Sequence, residues 1–527
     1  MYKESSIVKD WRKVDLTFGL IYPNVYQLGM SSYTIRLIYH IINSNEKYAC
    51  ERIYLPKKIK FPASKDFSSI NQLRSIENQI LPKEFDILGF SVHYENDFRN
   101  ILWILEKAGI PLESKERQER LSHNPNDYPL IIGGGPAITS NPLPLSSIFD
   151  MFFIGDAEPN LIKFLSTYLE FKLNKDSFDT FLKKSTSIEG IFVPSLNNET
   201  NRVILKDLNK SPFPRYQLLS KSDKEKKIFE ENYFIEVNRG CPYQCKFCLS
   251  SFHNHPFRNK SYNEITEAIE EGLKYSDFDK ISLIGSCVSS HPRFLEICEY
   301  ILNAGKTFSI PSIRIEHISP EVIKLLERSG VKTITIAPET GTESLRFELG
   351  KRITNEKILE VLSMLKESKI KNVKFYFLLG LPKETDEDIE EILDLFRQID
   401  NIGFEKNELK VNVNPFVPKL NTPYGNQCYF YFAENIDKFK QKFSHLREEF
   451  KKIPSVKIKF QDPKMIINNA KLQTLLSLGD RSTAKILLAY YLNGANMGAL
   501  RGAEKELNFS IDDYFKKIQD GYIPWSF

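Results

Sequence analysis

Three cysteines lie close together in the chain, directly after an apolar segment that is typical of a β-strand. The strand-like segment runs from Tyr233 to Val237, and Cys241, Cys245 and Cys248 follow it with C-x3-C-x2-C spacing. Thiolates at this spacing suit an iron–sulfur cluster, and a cubane bound by three of them leaves one iron open to a ligand from outside the protein. A structural zinc ion is the alternative, but it takes four protein ligands. It would need a fourth from Cys287, His253 or His255.

The motif resembles the signature of the radical S-adenosylmethionine (radical SAM) enzymes, in which an aromatic residue, here Phe247, precedes the last cysteine. The resemblance implies that Cys241, Cys245 and Cys248 bind a 4Fe-4S cluster whose open iron chelates the amino and carboxylate groups of SAM. One electron from the cluster then cleaves SAM to a 5'-deoxyadenosyl radical, which abstracts hydrogen from an unreactive carbon. A reductant of the flavodoxin or ferredoxin type is the expected partner.

The composition is that of an ordinary globular protein. With 527 residues, the chain is long enough for two to four domains. Its 72 Lys+Arg and 68 Asp+Glu leave a net charge of only +4 with no long basic block, so charge does not indicate nucleic-acid binding. No apolar run approaches the length of a membrane span, and the N-terminus lacks a signal-peptide pattern. We therefore expect a cytoplasmic protein without a membrane span.

Residues 1–160 alternate between strand-like and helix-like patterns. Such alternation predicts a doubly wound, Rossmann-like parallel sheet, in which ligands bind beyond the carboxyl ends of the strands. The strand-like segments are Leu16–Ile21, Ile87–Val92, Leu130–Ile132 and Met151–Ile154. His93-Tyr94-Glu95 follows the second segment, and the glycine-rich loop Gly133–Pro142 follows the third.

These loops resemble the cobalamin-binding domain that precedes the radical SAM domain in the class B, cobalamin-dependent enzymes. The resemblance implies that the glycine-rich loop lies along the nucleotide tail of cobalamin. The residues expected to line this tail are Gly133, Gly134, Pro136 and Thr139. The alternative is a cobalamin-type fold that has lost its ligand and supports the barrel or a partner.

The chain departs from some other cobalamin proteins at the cobalt ligand. It has no Asp-x-His-x-x-Gly motif, by which those proteins supply a histidine to cobalt. The lower face of cobalt would then meet His93, Tyr94 or Glu95, or no side chain.

Residues 231–425 again alternate, with six strand-like segments, each but the last followed by a helical pattern. Six such units predict an open, partial (β/α)6 barrel whose mouth lies at the carboxyl ends of its strands. We expect a linker at 161–230 and a mostly helical C-terminal domain at 426–527. The overall fold class is therefore α/β, with an N-terminal doubly wound domain, a central barrel and helices at the end.

The loops at the barrel mouth are expected to bind SAM. Ser286 lies in the turn where the family usually carries a Gly-Gly-Glu-like sequence, and this chain departs from that pattern. Arg314, Glu339 and Arg346 offer charges that are complementary to the carboxylate, the ribose and the amine of SAM. Gly380 belongs to a turn that resembles the one packing beside adenine in the family.

The resemblance covers residues 15–425 and implies a cobalamin-dependent radical SAM methyltransferase that acts on an unactivated carbon. One SAM would methylate cob(I)alamin, a second would yield the deoxyadenosyl radical, and the substrate radical would take the methyl group from methylcobalamin. Two alternatives stay open: a radical SAM oxidoreductase or ring-forming enzyme without methyl transfer, and a non-catalytic iron–sulfur assembly factor. The substrate is not identified; a protein or peptide side chain, a lipid and a small metabolite are all compatible with the sequence.

Overall fold

The computed structural model describes residues 6–67, 72–174, 176–215, 217, 232–459 and 462–527. The chain forms two compact units. Unit 1 comprises Met1–Glu231, Leu475–Ile511 and Ile523–Phe527, and unit 2 comprises Asn232–Thr474 and Asp512–Tyr522.

Unit 1 is built on a six-stranded sheet with the order β2-β1-β3-β4-β5-β6. Its strands are β1 Leu16–Val25, β2 Tyr48–Leu55, β3 Ile87–Ser91, β4 Leu130–Gly134, β5 Met151–Phe153 and β6 Ile191–Phe192. All neighbours are parallel except β6, which pairs antiparallel with β5. The first five strands have the order of a flavodoxin-like doubly wound sheet, whose ligand site lies where the strand order reverses, between β1 and β3. The predicted fold class is confirmed for this unit.

The helices of unit 1 before residue 231 are α1 Tyr26–Gly29, α2 Tyr33–Asn43, α3 Phe98–Lys107, α4 Ser114–Leu121, α5 Pro136–Ser140, α6 Leu161–Asn174 and α7 Phe178–Thr186. The stretch predicted as a linker, 161–230, therefore begins with two packed helices. Phe164 of α6 meets Phe153 of β5 edge-on at 5.2 Å between ring centroids, and Tyr168 meets Phe181 of α7 at 5.4 Å. Buried aromatic rings contribute strongly to packing, which explains why these helices belong to unit 1. Residues 218–231 lie outside the described residues.

Unit 2 contains seven parallel strands in two sheets, with the orders β11-β10-β7 and β12-β13-β14-β15. These strands are β7 Asn232–Glu236, β10 Lys280–Ile284, β11 Thr307–Ser309, β12 Thr333–Glu339, β13 Asn372–Leu379, β14 Leu409–Pro415 and β15 Val456–Ile458. A short antiparallel ribbon consists of β8 Asn238–Arg239 and β9 Arg258–Asn259.

The helices between these strands are α8 Leu249–His253, α9 Tyr262–Tyr275, α10 Phe294–Asn303, α11 Pro320–Arg328, α12 Glu343–Glu348, α13 Asn355–Glu367, α14 Asp386–Asp400 and α15 Ala433–Phe450. Parallel strands joined through helices confirm the predicted partial barrel. The structure adds a seventh strand to the six expected, because β15 pairs with the edge of β14.

The third barrel strand lies earlier than the sequence pattern predicts. A strand-like pattern in the sequence covers residues 310–316, but the strand is Thr307–Ser309, and a 3-10 turn occupies Ile315–His317. Pro311 lacks the backbone N–H that a sheet ladder requires, which explains why the strand ends before it.

The remaining helices are α16 Pro463–Leu478, α17 Arg481–Leu492, α18 Met497–Glu506 and α19 Ile511–Gln519. Residues 426–527 are mostly helical. Of these, Leu475–Ile511 and Ile523–Phe527 belong to unit 1, and the others belong to unit 2. Within unit 1, Asn141 donates to the carbonyls of Ser477 (3.1 Å) and Gly479 (2.7 Å). Within unit 2, Lys471 pairs with Asp512 at 2.6 Å. Among the helices of the described segments, none is both long and apolar enough to cross a lipid bilayer.

The four-stranded sheet of unit 2 buries one face against helices through aromatic contacts. Phe375 and Phe377 of β13 meet Phe396 of α14 with ring centroids 4.8 and 5.9 Å apart, and Phe396 meets Phe450 of α15 at 5.0 Å. Phe396 therefore joins the sheet to both helices.

We expect Phe396→Ala to lower the free energy of unfolding by about 3–5 kcal/mol, because a fully buried ring is replaced by a cavity. The matched control is Phe67→Ala, since Phe67 is 92% exposed and its loss should change the same quantity by less than about 0.5 kcal/mol. Urea unfolding followed by circular dichroism measures both. Equal effects of the two substitutions would contradict the assigned core.

Candidate functional site

The three motif cysteines lie in one loop of unit 2, between β8 and α8. Gly240 opens the loop with φ +84°, and a Cβ atom there would lie 2.3 Å from the carbonyl oxygen of Asn254. Only glycine fits such a position without strain. Cys248 is the residue before α8, and its N–H donates to the carbonyl of Cys245 at 2.9 Å. Local backbone geometry therefore determines the course of this cluster loop.

The cluster loop is also bound by two distant segments of unit 2. The N–H of Lys246 donates to the carbonyl of Leu349 after α12 (2.9 Å), and the N–H of Tyr424 donates to the carbonyl of Lys246 (3.2 Å). The Lys246 ammonium pairs with Glu348 at 2.8 Å. Phe247 packs against a buried apolar group formed by Leu345, Leu349, Leu381, Phe416 and Tyr424. The aromatic residue of the motif thus anchors the loop.

The thiols fit a multi-iron cluster better than a single metal ion. Cys245 is buried, and Cys241 and Cys248 are partly exposed. Within the described part of the chain, no three His, Cys, Asp or Glu side chains are close enough together to hold one ion. A cubane binds its cysteines through separate irons, so its ligands need not converge on one point. The zinc alternative gains no support, and His253 already hydrogen-bonds the Leu420 carbonyl at 3.2 Å.

Positive charge surrounds the central cysteine. Burial raises the pKa of the Cys245 thiol, whereas nearby Lys351 and Arg314 lower it. Arg314 lies over the ring of Tyr243, 3.5 Å from its centroid, and pairs with Glu316 at 2.5 Å. The Nε of Arg314 and one oxygen of Glu316 are buried, with no hydrogen-bond partner among the described residues. Both atoms can bind a polar ligand beside the cysteines, and the binding of SAM by Arg314 stays a prediction.

A polar network next to the cysteines includes residues that the sequence did not indicate. Hydrogen bonding between Cys241 and Cys287 lowers the pKa of the Cys287 thiol and raises that of Cys241. Cys287 also contacts Ser290 at 3.0 Å. Tyr243, inside the motif, hydrogen-bonds His317 at 2.7 Å. Ser286 hydrogen-bonds Ser250 at 2.6 Å, so its turn adjoins α8.

Glu339 and Arg346 are both buried, and both are held by polar partners. Glu339 has φ +74° and pairs with Lys351 at 2.7 Å. Arg346 is fully buried and donates to the carbonyls of Thr340, Gly341 and Ile353. Burial lowers its pKa to about 10. Arg346 therefore holds the turn around α12. Its Nε is buried and has no hydrogen-bond partner among the described residues, and binding of the SAM carboxylate by Arg346 stays a prediction.

Gly380 begins the turn after β13 and has φ +82°. Its N–H donates to a carboxylate oxygen of Glu384 at 2.9 Å, and Lys442 of α15 pairs with the other oxygen at 3.0 Å. This glycine turn is thus held by a buried carboxylate.

In unit 1, the residues of the glycine-rich loop that are predicted to bind the cofactor differ in their exposure to solvent. Gly134 is partly exposed and Pro136 is exposed at the start of α5. Gly133 is buried, and a Cβ there would lie 2.9 Å from the Phe149 ring. The Thr139 hydroxyl accepts from the N–H of Gly155 at 3.0 Å. Gly133 and Thr139 therefore support the loop from inside, and their place along the nucleotide tail of cobalamin stays a prediction.

The loop after β3 presents His93 and Tyr94 but not Glu95. His93 is half-buried, hydrogen-bonds Ser91 at 3.1 Å, and has its pKa lowered by burial to about 4. It is therefore neutral near pH 7, the form that binds metals. Tyr94 is 44% exposed, whereas Glu95 is only 2% exposed. Glu95 is therefore the least exposed of the three residues that are candidates for the lower face of cobalt, and the choice among them stays a prediction.

Asp97, which the sequence did not indicate, lies at the reversal of strand order between β1 and β3. It accepts hydrogen bonds from Asn24 (2.9 Å) and Asn100 (3.1 Å) through one carboxyl oxygen. Burial raises its pKa to about 7. The hydrophobic surroundings of its loop, not its sequence pattern, produce this shift.

Two family models match the chain. The model for the N-terminal region of radical SAM proteins matches residues 34–194, and the model for the radical SAM superfamily matches residues 235–396. An uncharacterized protein of Methanocaldococcus jannaschii is 26% identical over 471 residues, which are 89% of this chain and 90% of that protein.

Two solved structures share the fold over nearly the whole chain. The radical S-adenosylmethionine methyltransferase TsrM from Kitasatospora setae, with cobalamin and a 4Fe-4S cluster bound, has a TM-score of 0.56 at 12% identity, covering 93% of this chain and 99% of that chain. The cobalamin-dependent S-adenosylmethionine radical enzyme OxsB, with aqua-cobalamin bound, has a TM-score of 0.52 at 13% identity, covering 97% and 85%. At these identities the likeness establishes the fold.

We expect Asp97→Asn to stabilise the protein increasingly as the pH rises above about 4. The folded pKa of about 7 exceeds the ordinary 3.8, so protonation stabilises the fold fully below the ordinary value, and this stabilisation is lost as the pH rises through about 7. Asparagine keeps the acceptor oxygen and cannot ionise. The variant should match the wild type near pH 4 (about the ordinary pKa) and exceed it by roughly 2–4 kcal/mol near pH 8, as measured by urea unfolding. A difference that does not vary with pH would contradict the shifted pKa.

Proposed function

We propose that this chain, which belongs to the radical SAM superfamily, is a cobalamin-dependent radical SAM methyltransferase that acts on an unactivated carbon. One observation carries the proposal: a three-cysteine loop at the strand ends of a partial barrel occurs in the same chain as a doubly wound unit. Over 93% of its length, this chain has the fold of a methyltransferase that binds both cobalamin and an iron–sulfur cluster.

The residues of unit 2 fit a cluster and SAM. Cys241, Cys245 and Cys248 would hold the cluster, and the buried, unpartnered Nε of Arg314 would bind the SAM carboxylate beside them. The turn at Gly380 would lie beside adenine, as its resemblance to the turn of the family implies. Backbone hydrogen bonds from Leu349 and Tyr424 hold the loop in place, so the thiols need little reorganisation on binding.

The exposed groups of unit 1 fit cobalamin. Gly134 and Pro136 offer surface along the glycine-rich loop, and neutral His93 with Tyr94 lies beyond β3, beside the reversal of strand order. When bound, the cluster supplies the electron that cleaves SAM, and cobalamin carries the methyl group. The protein's own residues bind and orient these groups and exclude water from them.

An external reductant of the flavodoxin or ferredoxin type belongs to this proposal, because the cluster must be reduced before SAM is cleaved. We also propose a cytoplasmic location. All seven cysteines are free thiols, which fits a compartment that keeps thiols reduced.

Methyl transfer is tested with SAM deuterated in its methyl group, supplied to the reconstituted protein with reductant, cobalamin and a cell extract without oxygen. We expect deoxyadenosine to form and the label to move into a product. Cys245→Ala should abolish both, whereas Cys298→Ala, a buried cysteine of α10, is the control and should abolish neither.

The alternatives give different results in the same experiment. Deoxyadenosine without label transfer would favour an oxidoreductase or ring-forming enzyme. Absence of SAM cleavage with an intact cluster would favour an assembly factor.

A further inference from the structure

Three lysines form a row across neighbouring strands of the four-stranded sheet in unit 2. Lys374 of β13 lies opposite Lys410 of β14, and Lys410 lies opposite Lys457 of β15. Neighbouring strands are about 4.8 Å apart, so three positive charges are concentrated on a narrow strip. Like charges directly opposite each other destabilise a sheet. The row therefore needs a physical explanation.

The lysine row lies on the face of the sheet that the helices leave open. Val373, Phe375 and Phe377 alternate with the lysine position and are buried on the helix-covered face. Lys374 and Lys410 are partly exposed and Lys457 is exposed. Two residues beyond Lys374 on the same open face, Tyr376 is 37% exposed. A ligand can therefore reach this face.

The three ammonium groups of the lysine row lack ion-pair and hydrogen-bond partners among the described residues. The open face carries neutral residues near the row, including Thr335 opposite Lys374 and Asn412 opposite Tyr376. By contrast, polar groups on the other sheet satisfy one another: Ser282 hydrogen-bonds Asn232 and Ser309, both at 2.9 Å.

We propose that the lysine row binds a phosphate or diphosphate group of a small-molecule substrate. Three ammonium groups in a strip suit a compact ligand with two or more negative charges, and lysine is a common phosphate ligand. A nucleic acid is disfavoured because two of the lysines are half-buried on a sheet face and the chain as a whole carries only +4.

The open face connects the lysine row to the cluster loop. Leu378, four residues after Lys374 on the same face, packs against the apolar group that Phe247 of the cluster loop also contacts. Four residues of parallel strand span about 13 Å. A molecule whose phosphate lies on the row can extend past Tyr376 and place a carbon near the cluster loop. The substrate class is thus an elongated phosphorylated molecule, and naming it a substrate rests on the proposed function.

The test uses inorganic pyrophosphate as the probe and isothermal titration calorimetry of the reconstituted full-length protein. We expect the wild type to bind pyrophosphate, and Lys374→Gln/Lys410→Gln to weaken the affinity by at least about tenfold, through loss of two charge-assisted contacts. The matched control is Lys324→Gln/Lys406→Gln, which removes the same charge from exposed positions outside the row. The control should change the affinity by less than about twofold. The row variant should also melt no earlier than the wild type, because it removes repulsion.

Three results would overturn the inference: no binding of pyrophosphate by the wild type, unchanged binding by the row variant, or equal weakening in the control. Binding of transfer RNA that depends on the row, without binding of pyrophosphate, would also overturn it in favour of nucleic acid. Calorimetry reads binding independently of SAM cleavage. Absence of pyrophosphate binding by the wild type with intact deoxyadenosine formation therefore refutes only the substrate class, and pyrophosphate binding without SAM cleavage refutes only the proposed function.

Discussion

The backbone hydrogen bonds at Lys246 are the interactions on which the rest of the candidate site depends. They join the cluster loop to the turn after α12 and to the segment after β14, which come from distant parts of unit 2. Because these bonds involve main-chain atoms, they fix the loop largely independently of the side chains around it. The cysteines, the cation over Tyr243 and the apolar group around Phe247 then take their positions relative to a rigid loop, which is the preorganisation that a reactive centre requires.

In unit 1, the strand topology determines the place of the candidate site, which lies where the parallel sheet reverses its strand order. Burial favours the uncharged forms of both Asp97 and His93: Asp97 is protonated below about pH 7, and His93 is neutral above about pH 4. A neutral, half-apolar surface of this kind suits a large, mostly uncharged cofactor better than a phosphate or a metal ion alone. Charge is concentrated instead in unit 2, on the lysine row and around Cys245.

The sequence predicts the elements well where chemistry or periodicity is local. The cluster loop, the strand–helix alternation of both units and the glycine-rich loop follow from short-range patterns. The sequence does not predict features that depend on tertiary packing. The strand β11 ends before Pro311, and the pairing of β15 with the edge of β14 follows from no local pattern. The residues after 425 are divided between the two units. The same difference holds for the site residues. The cysteines are identified by their spacing in the sequence alone. The burial of Arg346, Glu95, Gly133 and Thr139 depends on the folded environment, as do the roles of Lys351 and Asp97.

The proposed function requires that one chain binds both an iron–sulfur cluster and cobalamin. The most direct test is to quantify iron and cobalt in protein that has been purified without oxygen, reconstituted with iron and sulfide, incubated with hydroxocobalamin and desalted, with a UV-visible spectrum of the same sample. The account predicts about four irons and near-stoichiometric cobalt per chain. Iron without retained cobalt would contradict it, because unit 1 would then be a scaffold and methyl transfer through cobalamin would lose its carrier.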